Sequence, residues 1–189
     1  IPFMDLVTQL GLDECQTVLH ALGFNTIQGP SEKYGAGIAV GNAEIRLIDL
    51  ANAYATLARG GVPTRPQSLD GQDSSPTSPP VFSKGACWLI AEILSGSERS
   101  QKSVGHVADA HLPRIAWKTG TSAAYRDAWT VAWNPEFVVA SWFGHKAGNF
   151  GDASIVGADA AAPVAWSIFR DRYPSGRSPW YAKPDDIFE

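Results

Sequence analysis

The sequence predicts an α+β domain in which a small antiparallel sheet is packed by helices, and three observations predict it. Three strand-like runs follow one another at short range, an apolar one that holds the tetrad 118–121, one over 127–133 and one over 137–144, with Asn134-Pro135-Glu136 as a turn before the last. Strands in series with short connections pair as an antiparallel meander. The runs are apolar at successive positions, so both faces of the sheet need cover, from helices on both sides or from helices on one side and a cleft on the other. Segments with apolar residues at helical spacing lie on either side of the runs, over 3–22, 44–59, 82–94 and 160–173.

Taken in order, 3–22 carries Leu6 and Leu10, then Val18, Leu19 and Leu22, at helical spacing. Gly11-Leu12-Asp13 divides it into a pair of helices that ends at Gly23, with Asp13 expected to cap the second. Cys15 and Cys87 fall in separate helices without Cys-x-x-Cys or metal spacing, and are expected as thiols, not as a bridge. The run Tyr34-Gly35-Ala36-Gly37-Ile38-Ala39-Val40-Gly41 brings its third glycine one residue too late for a dinucleotide fingerprint, and no strand precedes it. Its glycines are therefore expected to serve close packing. The 44–59 helix places Leu47, Leu50, Ala51, Tyr54 and Leu57 on one stripe, and Gly60-Gly61 stops it before Pro63.

Residues 63–80 are rich in Pro, Ser, Gln, Gly and Asp and predict a flexible surface loop. The helix over 82–94 has Cys87, Trp88, Ile90, Ala91 and Leu94 as its apolar residues and Ser83 as its expected cap. In the next loop, His106, Asp109 and His111 have a spacing that a metal site can use, but in so polar a segment they are read as solvated. After the strands, 148–159 is a loop, and the helix over 160–173 has Pro163 in its first turn and Val164, Trp166, Ile168 and Phe169 for packing. Residues 174–189 read as linker.

Composition excludes several function classes. With 189 residues, 44% hydrophobic and 18% charged, the chain is long enough for one domain with a real core. Its net charge of -4 gives no footprint for nucleic acid. No run of Lys or Arg suggests a membrane surface, and no apolar stretch reaches the ~18 residues of a span. The first residues, Ile1-Pro2-Phe3-Met4-Asp5, lack the basic and apolar regions of a signal peptide and read as cut from something longer.

The chemistry concentrates in Lys118-Thr119-Gly120-Thr121. A lysine in a strand that is otherwise apolar belongs where the strand meets a cleft, because burying an unpaired ammonium is costly. Alternation puts Lys118 and Gly120 on one face and Thr119 and Thr121 on the other. Glycine leaves room beside the backbone, so a ligand can lie against the strand. A bound acyl group then meets main-chain N–H donors, with a hydroxyl and an ammonium at hand for a carboxylate. The strand acts as a platform and not as a nucleophile.

Lys118-Thr119-Gly120-Thr121-Ser122 followed by Arg126-Asp127-Ala128-Trp129 resembles the third catalytic motif and following strand of penicillin-binding protein transpeptidases, in particular bifunctional class A enzymes of the 1C type. Leu47-Ile48-Asp49-Leu50-Ala51-Asn52-Ala53-Tyr54 is similar to a helix of that family, although Arg46 stands where the family often has a capping Thr or Ser. Ala160-Ala161-Ala162-Pro163 resembles the start of its C-terminal helix. The resemblance implies the penicilloyl-serine-transferase fold, shared with β-lactamases, with 1–173 as the C-terminal half of the domain: 1–62 helical, 63–80 loop, and 81–173 holding a helix, the sheet and the last helix.

It also implies a peptidoglycan cross-linking enzyme on the extracytoplasmic face of the bacterial inner membrane, binding D-Ala-D-Ala stem peptides and β-lactams. The membrane is reached only through an upstream anchor, and no metal or organic cofactor is implied. Within this chain Lys118 and Thr121 take catalytic roles, with Thr119, Gly120 and Ser122 joining them in binding substrate. The family's S-x-x-K and S-x-N motifs occur nowhere in the sequence. The chain alone is thus expected to be inactive and to complete its site with the upstream half of the same domain. Two alternatives stay open: a non-catalytic scaffold, and a related carboxypeptidase or β-lactamase, against which the Arg-Asp-Ala-Trp strand argues.

Overall fold

The computed structural model describes residues 2–68, 75–96, 112–145, 151 and 156–187. The described residues form α1 (Pro2–Leu10), α2 (Leu12–Ala21), α3 (Leu47–Ala58), α4 (Lys84–Leu94), β1 (Ala116–Thr121), β2 (Asp127–Trp133), β3 (Val138–Gly144) and α5 (Ala162–Arg172), in that order. The centre of the 63–80 loop, the trio His106, Asp109 and His111, and most of 148–159 lie outside the described residues.

The strands form one sheet of order β1-β2-β3, antiparallel throughout, as the spacing predicts. Trp117 pairs with Ala132, and both turn toward α5, where Ala162, Ala165, Trp166, Phe169 and Tyr173 bury them. Their neighbours Ala116 and Trp133 also pair and turn to the opposite face, against Ala91 of α4 and Tyr54 and Ala58 of α3. Helices therefore cover both faces at this end. Trp133 is 0% exposed and meets Tyr54 edge to face at 5.1 Å. The β2–β3 turn is held by buried Asn134, whose Oδ1 accepts from the N–H groups of Glu136 and Phe137 and whose Nδ2 donates to the Tyr173 hydroxyl. Burial and a hydrogen bond to Glu136 hold the Tyr173 phenol above its ordinary range.

The helix ends divide between expectation and correction. Ser83 caps α4, its hydroxyl accepting from Ala86 N at 3.1 Å. Asp13 does not cap α2: Gly11 holds that position without a side-chain bond, and Asp13 accepts instead from the Ser31 hydroxyl at 2.6 Å. A partner 18 residues away outcompetes the local amides. At α3 the extended residue Arg46 offers no cap, and its guanidinium forks onto buried Asp49 at 2.7 and 2.8 Å. The glycines of 35–41 serve packing only in part. Gly37 lies against Asn42, whereas Gly35 and Gly41 have open space and positive φ of 55° and 86°, so they are there for backbone conformation.

Within the expected linker over 174–189, the described residues 174–187 make packing contacts that a linker lacks. Trp180 donates to Glu92 Oε1 at 2.6 Å and lies under the Arg114 guanidinium at 4.2 Å, while Arg114 itself pairs with Glu92 Oε2 at 2.7 Å. Ser178 bonds the Arg114 carbonyl and Asp186 accepts from Gly85 N. Two aromatic residues, Trp180 and Tyr181, give this segment enough apolar surface to pack on the α3–α4 face of the sheet. Both cysteines are free thiols, and burial, then Asp186, push Cys87 up to about 11.

Candidate active site

Toward its second half β1 leaves this cover. Ala116 and Trp117 are buried, Thr119 is half-buried, and Lys118, Gly120 and Thr121 are exposed. The sheet thus changes from core to surface along one strand, at the lysine that the sequence places at a cleft.

The hydrogen-bond ladder decides what β1 offers there. Ser122 N donates to Asp127 O at 2.9 Å, so the inward members of the β1–β2 ladder are Ser122, Gly120 and Lys118. Alternation then turns the N–H and C=O groups of Thr119 and Thr121 to the other edge, where no described strand pairs with them. Lys118 Nζ reaches this edge and donates to Thr119 O. An extended ligand that adds along this edge would find the Thr121 N–H as a donor, with an ammonium and two threonine hydroxyls nearby. A β-carbon built at Gly120 would meet only Trp129 Cβ, at 3.7 Å, so that face of the strand is open.

Behind β1 the strand is clamped. Gly157 opens a π-helical turn, Gly157–Ala161, that leads into α5. A β-carbon at Gly157 would lie 2.5 Å from Gly120 O and 2.7 Å from Trp129 O, so only glycine allows this approach. One hydroxyl from each strand fixes the turn. Thr121 Oγ1 accepts from Gly157 N at 3.0 Å, Thr130 Oγ1 donates to Gly157 O at 3.1 Å, and Ser141 Oγ donates to Ala161 O at 2.8 Å.

The β1–β2 connection is equally tied. The Ser122 hydroxyl donates to Asp127 Oδ2 and accepts from Asp127 N, both at 2.8 Å, and Trp142 Nε1 donates to Asp127 Oδ1 at 2.9 Å. Asp127 therefore has a structural part, through a hydroxyl and an indole. Ala124 and Tyr125 take positive φ of 58° and 54°, which side chains with a β-carbon seldom adopt. Strain of that kind persists only where surrounding structure enforces it.

The five residues singled out from sequence thus lie together, with Ser122 turned into the β1–β2 connection. Sequence reading missed Gly157, Thr130 and Ser141. The hydroxyls of Thr130 and Ser141, in strands otherwise apolar, were the available signal. Among the described residues no three His, Cys, Asp or Glu side chains cluster so as to hold a metal.

A family model described as penicillin binding protein transpeptidase domain matches residues 1–165. Penicillin-binding protein 1C of Escherichia coli is 36% identical over 128 residues, 63% of this chain and 16% of that protein. Two crystal structures share the fold. Penicillin-binding protein 1A from Haemophilus influenzae has a TM-score of 0.71 at 17% identity, over 95% of this chain and 33% of that one. The D,D-transpeptidase domain of a peptidoglycan glycosyltransferase from Eggerthella lenta has a TM-score of 0.60 at 19% identity, over 88% of this chain and 50% of that one. The chain therefore spans a minor part of the curated relative's length, and it belongs to the penicillin-binding protein transpeptidase domain family.

Proposed function

We propose that this chain supplies the substrate-binding strand of a serine D,D-transpeptidase that cross-links peptidoglycan stem peptides as part of a bifunctional class A synthase. The observation that carries the reading is the free edge of β1, with the outward N–H of Thr121 beside the Lys118 ammonium and an open face at Gly120. A serine outside this sequence attacks the carbonyl of the penultimate D-Ala, the terminal D-Ala leaves with a proton, and an acceptor amine displaces the serine oxygen. The Thr121 N–H is one of two donors to the oxyanion. Thr119 and Thr121 hydroxyls hold the substrate carboxylate, and Lys118 adds positive potential and a bond to the polar network of the site. β-Lactams acylate the same serine.

The partner that completes the site is the upstream half of the same domain, at the extracytoplasmic face of the inner membrane. A scaffold role is the second reading, favoured by the absence of S-x-x-K and S-x-N from these 189 residues. Intact-mass measurement after incubation with benzylpenicillin separates the two. On the transpeptidase reading the full-length protein gains one adduct and the 189-residue chain gains none. A full-length protein without an adduct leaves the scaffold reading, and a stoichiometric adduct on the chain alone would mean an unassigned nucleophile.

A further inference from the structure

We propose that Gly157 and Thr130 are positioning residues that set the Thr121 hydroxyl as a donor for a ligand carboxylate. The inference rests on the reading of β1 as the carboxylate-binding strand. A threonine hydroxyl has one proton to give and two lone pairs to receive with. Because Gly157 N–H occupies a lone pair of Thr121 Oγ1, the remaining proton is free to point outward, and a carboxylate accepts only. The same amide bond polarises the hydroxyl and strengthens it as a donor.

Gly157 keeps this place by two independent means. Its lack of a β-carbon lets it sit on the Gly120–Trp129 backbone pair, as the 2.5 and 2.7 Å approaches require. Its carbonyl is held by Thr130 Oγ1, a side chain 1% exposed on the central strand, with no role at the ligand edge. Thr130 is flanked across the sheet by Thr119 and Ser141, its register partners, so the row of hydroxyls runs under the turn that bears Gly157. Ser141 anchors the far end of that turn at Ala161. The chain of contacts runs from a buried hydroxyl, through the carbonyl and the amide of one glycine, to the hydroxyl at the ligand edge.

The test compares acylation of the full-length protein by benzylpenicillin, which carries the carboxylate, and by its methyl ester, which does not. Thr130→Val removes the bond to Gly157 at nearly constant volume. It should lower acylation efficiency with the free acid about tenfold, the worth of one hydrogen bond, and leave the ester within about twofold. Thr130→Ser should restore the free-acid rate. Gly157→Ala, which forces the turn away from β1, should show the same selective loss or a larger one. Equal losses with acid and ester, in Thr130→Val or Gly157→Ala, would reduce both residues to a general structural part and overturn the proposal, as would wild-type rates in both variants. If the wild-type protein is acylated by neither compound, the reading of β1 itself fails, an outcome distinct from a failure of the clamp alone.

Discussion

At the 116–117 end of β1 both faces of the sheet are closed, by α5 on one side and by α3, α4 and the Trp180 segment on the other. At the 118–121 end the same strand is open at its edge and on its Gly120 face; it is paired with β2 and, among the described residues, backed by Gly157. The first end is stabilised by buried aromatic area, the second by a few hydrogen bonds and one close backbone approach. The rigidity a site needs is thus imported: the open end is held by the closed end and by the π-helical turn.

Substitutions at the two ends should therefore separate stability from chemistry. Trp133→Ala empties a fully enclosed site and should lower the opening free energy of β2 amides by about 3–5 kcal/mol, read by hydrogen exchange on the full-length protein. Lys118→Ala, at the exposed end, should change that quantity by no more than about 0.5 kcal/mol while lowering penicillin acylation by about a hundredfold. Equal effects of the two substitutions on exchange would erase the contrast.

The Trp180 segment sharpens the same comparison, since it closes one face. Trp180→Ala deletes the indole between Arg114 and Glu92 and should lower the exchange protection of α4 and β1 by about 2 kcal/mol. Unchanged protection would return residues 174–187 to the status of linker. In the β1–β2 connection, Ala124→Gly should relieve the positive φ and raise local protection by about 1 kcal/mol, with acylation unaltered. A loss of protection would mean that unfolded-state entropy outweighs the strain.

Cys87 offers a pH-dependent probe of the closed face. Its folded pKa, pushed up to about 11 from 9.0, means that the neutral thiol is favoured by folding. Its contribution to stability is thus complete below about pH 9 and is lost as pH rises toward 11. Native-state alkylation should accordingly modify half-buried Cys15 well before buried Cys87 at pH 8. The reverse order would show that the α4 face is open.

What was legible in the sequence was whatever periodicity and local chemistry decide. The strands and helices follow from apolar spacing, and Ser83 caps α4 because the N–H that donates to its hydroxyl lies three residues on. The tetrad was legible because a lysine beside glycine has no place in a closed strand. What escaped depends on pairs distant in sequence. Asp13 was taken by Ser31, the tail was held by Glu92 across 88 residues, and Gly157 meets Thr121 across 36. No window of residues around Gly157 announces that another backbone will lie against it.

A crystal structure of the full-length protein acylated by benzylpenicillin would show whether the free edge of β1 receives the ligand. The drug's carboxylate should lie within hydrogen-bond distance of the Thr119 and Thr121 hydroxyls, and its acyl oxygen on the Thr121 N–H. An acyl group bound elsewhere, with the β1 edge vacant or paired with another strand, would contradict it.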